Sequence, residues 1–345
     1  MKRVLLISIL SSVICMGFQP GHLQAQTEHE AEYRPLRFST PEGEGIYFGH
    51  AVEIVPYSGR YLLVCDDQGD DVYFLDVETL AGQRVGAEGD GPGEYRIATG
   101  FWTVGDTLVI QNGPRYLKYS LPDLEYLEMT MMEVFRRGRN PVWEDDGSFF
   151  TPELPMEHFF QGLFAHFSAT GELLEIYGEF DQLEKYGSPR MLKFSMNGGY
   201  LRKIPDGRLA FFYGYQPRVL FFTTSGEETG SLDLKMPWNG RGQVNPFNSE
   251  QMGWAARSLV ESVTLVDNGF LISANGWKRR GREPSAVLAR YSWTGDLLEI
   301  INLPLPEPEL REPLEDRVSA ATVLNGRYFV LVYGDPAVRE VIIRQ

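Results

Sequence analysis

The sequence predicts an all-β chain, a six-bladed β-propeller of four-stranded antiparallel blades closed by an N-terminal strand that completes the last blade. Three observations predict it. Six times an alternating or apolar segment runs into a Gly-containing turn and then into a second β-prone segment. A third strand-like run follows each pair, and in three units it leads into a nearly shared turn. The last unit then ends one strand short, while an unassigned strand-like segment precedes the first.

The turns fall at Gly59, Gly105, Gly147, Gly207, Gly269 and Gly326, spaced by 46, 42, 60, 62 and 57 residues. Asp-Gly and Asn-Gly between β-prone runs are strong hairpin signals, because these residues tolerate the positive φ of a two-residue turn. Such spacing accommodates one four-stranded unit per repeat, and a repeat of this length is characteristic of ring architectures. The first strands of the units begin near Ala51, Ala98, Asn140, Gly199, Ser262 and Ser319.

Third strands are expected at 71–76, 115–120, 163–168, 218–223, 286–292 and 338–343. Ala169-Thr170-Gly171-Glu172, Thr224-Ser225-Gly226-Glu227 and Trp293-Thr294-Gly295-Asp296 repeat one turn after three of them. Residues 34–40 should pair with 338–343 and so close the ring, removing an edge that an open array would expose. Short helices are conceivable only in connectors, at 182–186 and 250–256, and the Pro-rich 303–317 reads as an extended link between the fifth and sixth blades.

Lys2 and Arg3, the apolar run Val4–Met16 and the small residue Ala25 before Gln26 form a secretory signal peptide over 1–25, followed by one domain over 26–345. Cleavage there leaves 320 residues and moves the formal net charge from −15 to −17. The product is expected to be extracytoplasmic, periplasmic or secreted. Lipoprotein anchoring through Cys15 is the alternative, disfavoured by bulky Ile14 before it. No later apolar run reaches the roughly 18 residues of a membrane helix, so no transmembrane segment is expected. An acidic chain repels phosphate backbones, which argues against nucleic-acid partners. Cys65, in the run Leu62-Leu63-Val64-Cys65, reads as a small buried hydrophobe.

Leu63-Val64-Cys65-Asp66, then Val72-Tyr73-Phe74-Leu75-Asp76, then Gly89-Asp90-Gly91-Pro92-Gly93-Glu94-Tyr95 resemble the order of elements in NHL-type propeller repeats. The last stretch is similar to the blade-junction motif of bacterial exported six-bladed β-propeller proteins of the NHL-like group, an uncharacterised family. Arg96-Ile97-Ala98-Thr99 stands where a proline usually follows. The resemblance implies an extracytoplasmic binding or scaffold role and supplies no catalytic residues. In physical terms its glycines permit a tight junction, Pro92 stiffens it, and Tyr95 can pack between blades.

Chemical motifs are sparse. Gly89-x-Gly91-x-Gly93 lacks the Lys-Ser/Thr of a phosphate loop and reads as a structural turn. The carboxylates of Asp66-Asp67-Gln68-Gly69-Asp70-Asp71 depart from EF-hand spacing and read as a solvated hairpin tip. The histidines form no zinc motif, and His166 reads as a structural histidine on a third strand. There is no nucleophile elbow. The segment Trp277-Lys278-Arg279-Arg280-Gly281-Arg282 puts four cations in five residues of an acidic chain, in a hairpin loop suited to a carboxylate, an acidic glycan or an acidic partner. Residues 237–248, with Trp238 and Arg241, form a second long insertion.

The function expected is non-enzymatic binding of a protein, peptide or glycan through face loops or the central channel, by a monomer needing no cofactor. The alternative is a metal-dependent propeller enzyme, a gluconolactonase-like hydrolase, lyase or cyclase, with a divalent metal held by ligands from separate blades. Such a site leaves no linear motif.

Overall fold

Runs of Val, Ile, Leu, Phe and Tyr cut every few residues by Gly or Asn-Gly are too short for stable helices and well suited to short strands. The computed structural model of the chain describes residues 27–49, 51–66, 70–132, 141–152, 154–155, 158, 161–180, 197–214, 216–235, 260–278, 284–304, 318–332 and 335–344.

After the ten-residue strand β1 (Thr27–Leu36), the chain makes a sheet of β2 (Ala51–Tyr57), β3 (Tyr61–Asp66), β4 (Asp71–Asp76) and β5 (Gly82–Arg84). The short pair β6 (Ala87–Glu88) and β7 (Glu94–Tyr95) forms the junction. A second sheet holds β8 (Gly100–Val104), β9 (Thr107–Asn112), β10 (Arg115–Ser120) and β11 (Tyr126–Met131). The third holds β12 (Val142–Trp143), β13 (Phe149–Thr151), β14 (Phe164–Phe167) and β15 (Leu173–Tyr177). β16 (Gly199–Lys203), β17 (Leu209–Tyr213), β18 (Arg218–Phe222) and β19 (Glu228–Asp233) make the fourth. The remaining strands are β20 (Ser262–Val266), β21 (Gly269–Lys278), β22 (Pro284–Ser292), β23 (Leu297–Asn302), β24 (Val318–Leu324), β25 (Arg327–Val332) and β26 (Val338–Ile343).

The propeller-like all-β fold of four-stranded antiparallel sheets is present, but the expectation of six separate blades is corrected. Four sheets are separate, and a fifth has eight strands in the order β20-β21-β22-β23-β1-β26-β25-β24. The cause is the length of β1. Its second part, Ala31–Leu36, lies antiparallel to β26, pairing Ala31 with Ile343 and Leu36 with Val338. Its first four residues, Thr27–Glu30, overrun that seam and pair in parallel with Glu299–Asn302 of β23. The closing strand thus has the expected partner but spans 27–36, whereas 37–40 lie outside it.

All six predicted turns join first to second strands. At the last of them Asn325 and Gly326 have φ of 50° and 74°, the two positive values of the hairpin turn that Asn-Gly favours. The three shared turns are built alike. Ser168, Thr223 and Ser292 each accept, through the side chain, the N–H four residues on, while Gly171, Gly226 and Gly295 donate to the backbone carbonyl of the same residue.

Second strands such as β3, β9 and β17 are apolar on both faces because neighbouring sheets cover both. Six apolar clusters result, each shared by consecutive four-stranded units. Phe101 and Leu117 meet Leu63 and Phe74, Phe149 and Phe167 meet Trp102, and Leu209 and Phe211 meet Phe164. Phe270 meets Phe212, Leu288 meets Val330, and Phe329 meets Leu62 and Leu75. Burial of each such large side chain contributes on the order of 1.5–3 kcal/mol.

Candidate functional site in the ring centre

Five first strands touch their counterparts, β2 with β24, β24 with β20, β20 with β16, and β16 with β12. These strands line the centre, and side chains lace them together in a single direction. From β16, the Tyr200 hydroxyl donates to the Glu261 carbonyl and Arg202 Nε to the Val263 carbonyl at 3.2 Å. From β20, Thr264 Oγ1 donates to the Ala321 carbonyl at 2.6 Å, and from β24 Ser319 Oγ donates to the Ala51 carbonyl at 2.8 Å. Each bond ties a side chain of one first strand to the backbone at the next.

Arg202 is a half-buried cation of this belt. Its Nη1 donates to its neighbour Leu201 at 2.9 Å, and the guanidinium lies 5.9 Å from the Tyr200 ring centre. Burial pushes the guanidinium below its usual pKa, while the Glu53 carboxylate on β2 and Tyr200 pull it back up. Arginine keeps its charge at such a position. Of its five N–H donors, two are committed to carbonyls, which leaves three without a protein acceptor among the described residues. Glu261 Oε1, beside Tyr200, is buried with no hydrogen-bond partner. The Arg202 guanidinium, its charge favoured by the Glu53 carboxylate, thus keeps donors uncommitted among the described residues, an arrangement able to hold an anionic group.

The sequence-predicted site residues lie elsewhere. Trp277 and Lys278 belong to β21, paired with Ser285 and Pro284 of β22, so the hairpin strands run farther than the loop predicted there. Arg279, Arg280, Arg282, Trp238 and Arg241 fall outside the described residues. Among the described residues no group of three or more His, Cys, Asp or Glu side chains is spaced to hold a metal ion.

The junction Gly89–Tyr95 is a locked turn. Arg115 Nη2 donates to the carbonyls of Asp90, Gly91 and Glu94, and Tyr119 to that of Gly93. Tyr95 is fully buried, receives the Val72 N–H at 3.1 Å and carries Arg84 over its ring at 4.4 Å. The reading of Asp66 as part of a solvated tip is corrected, since its carboxylate is buried and accepts the Gly49 N–H at 2.7 Å. Cys65 is buried as expected, and His166 stacks on Phe150 with ring centres 4.3 Å apart.

Arg202 escaped sequence reasoning because nothing local marks it. Leu-Arg-Lys on a first strand is ordinary, and its acceptor lies 61 residues away.

No protein-family profile matches the chain, and no curated protein matches it in sequence. Solved structures do. A Bacteroides fragilis protein described as exported aligns with a TM-score of 0.56 and 12% identity, covering 93% of this chain and 99% of that one. Regucalcin, a calcium-binding protein from Agrobacterium tumefaciens, aligns at 0.52 and 9%, covering 92% and 96%. A streptogramin B lyase aligns at 0.50 and 9%, covering 91% and 98%. At such identity they share a fold with this chain. No helix among the described residues is long and apolar enough to cross a membrane.

Proposed function

We propose that the chain is an exported, non-enzymatic β-propeller that binds a protein, peptide or glycan partner by an anionic group held at Arg202 in the ring centre. The observation that carries this reading is the guanidinium with three uncommitted donors inside the hydrogen-bonded belt of first strands. In this reading the ring has six blades, the eight-stranded sheet being two of them joined by β1. Export rests on the signal-peptide pattern of residues 1–25, which lie outside the described residues. In this reading the basic segment 277–282 is a second contact for an anionic group of the partner.

Titration calorimetry with glucuronate and with acetyl-alanine tests the reading, each supplying one carboxylate. Binding of either that falls at least tenfold in Arg202→Met, with an unchanged melting temperature, supports it. Binding unaffected by that substitution overturns it. So does a stoichiometric divalent metal in protein purified without chelator, which supports the metal-dependent hydrolase, lyase or cyclase instead.

A further inference from the structure

Outer strands of propeller sheets are exposed edges, and proteins guard such edges by shortness, charge or cover. Here β5 has three residues, β19 reads Glu-Thr-Gly-Ser-Leu-Asp, and β1 covers both β23 and β26. Among the described residues β11 is less guarded: it is longer than β5, no described strand covers it, and Glu128 is its one charged residue against Glu228 and Asp233 of β19. β11 is the edge of its sheet, six residues long, and carries Tyr126, Leu127, Met129 and Met131 at 36%, 52%, 42% and 58% exposure. Those are four of the nine exposed large apolar side chains among the described residues.

The register aligns them. Met131 lies opposite Arg115, Met129 opposite Leu117 and Tyr126 opposite Tyr119, with a bulge between that shifts Leu127 out of step. A strand's residues with partners two apart share a face. Tyr126, Met129 and Met131 therefore form one apolar stripe, beside the locked junction that Arg115 holds. Exposed Asp123, Glu125 and Glu128 surround it with negative charge, Glu128 being paired with Lys118 at 2.6 Å. The formal net charge of −15 sets a second copy of the chain against itself and favours a basic partner.

We propose that β11 is a docking edge for an extended basic peptide segment of a partner protein, which adds as a fifth strand to the second sheet. Backbone hydrogen bonding along β11 supplies affinity, the methionine stripe takes alternate apolar side chains, and the carboxylates select lysine or arginine between them. This surface is separate from the ring centre, so the two readings stand or fall independently.

The probe is an end-blocked heptapeptide of alternating Lys and Val, read by fluorescence anisotropy against a Glu/Val counterpart. The expected results are saturable binding of the Lys peptide, no binding of the Glu peptide, and at least a tenfold loss in Met129→Ser/Met131→Ser. Glu128→Lys should weaken it by a similar factor while melting temperatures stay within a few degrees. Absence of binding to the unaltered protein, equal binding of both peptides, or binding insensitive to these substitutions overturns the proposal. A concentration-dependent dimer abolished by the serine substitutions also overturns it, assigning the edge to self-association. An Arg202→Met chain should bind the peptide unchanged.

Discussion

Arg34, in the first strand, donates through Nε to the Glu340 carboxylate in the last at 2.9 Å, across 306 residues of chain. Glu340 also accepts from Arg327 Nε at 2.8 Å, so one buried carboxylate ties together β1, β25 and β26. Hydrogen bonds to charged groups are worth more than neutral ones, and this group holds the seam that closes the ring. Glu340→Ala should lower the unfolding free energy by about 1–3 kcal/mol, measured by urea denaturation. An unchanged midpoint and slope would show that apolar packing alone holds the seam.

The same carboxylate makes stability fall in acid. Burial raises the Glu340 pKa, but hydrogen bonds from Arg327 and Arg34 outweigh burial and hold it below the ordinary 4.5. The folded state then binds fewer protons than the unfolded one near that pH. The resulting stability is complete above the unfolded-state value and is lost as pH falls through the lower folded-state one. Asp76 acts in the same sense, held down chiefly by Arg60 against the opposing effect of burial. Melting temperatures should therefore drop between about pH 5 and pH 3, with a shallower drop in Glu340→Gln.

Gly226 and Gly207 separate crowding from backbone preference. Both have positive φ, 82° and 88°, but a Cβ on Gly226 would stand 1.9 Å from the Tyr177 ring while one on Gly207 meets nothing within 4 Å. Gly207→Ala should cost about 1–2 kcal/mol, the left-handed penalty alone. Gly226→Ala should cost at least about 1 kcal/mol more, since Tyr177 packs in the interface between the third and fourth sheets. Equal denaturation midpoints for the two would refute the difference.

Cys65 is 3% exposed, in the cluster shared by the first two sheets. Its thiol should resist a maleimide reagent in native buffer and label fully in denaturant, with mass spectrometry locating the adduct. Rapid native labelling would mean that the first two sheets separate often.

The sequence exposed those parts of the fold that depend on local backbone preference. Asn325-Gly326 needs positive φ at two residues and the three serine- or threonine-capped turns at one glycine each, and only a few residue types supply it. The edge residues at 338–343 lacked a partner, so the return of the N-terminal segment could be inferred too. What stayed hidden depends on distances in the folded ring. The parallel register of Thr27–Glu30 on β23 follows from how far β1 overruns β26, which no residue type encodes. Arg202 gains its meaning from β20 lying alongside, and the basic hairpin drew attention because its charges are contiguous.

Ala31–Leu36 can find its partner only once Val338–Ile343, some three hundred residues later, has been made. The four separate sheets can form before then, so Ala31–Leu36 waits for β26 even after Thr27–Glu30 has met its own partner in β23. Sealing of the seam is thus a late event, set by the distance in sequence between the two strands that make it.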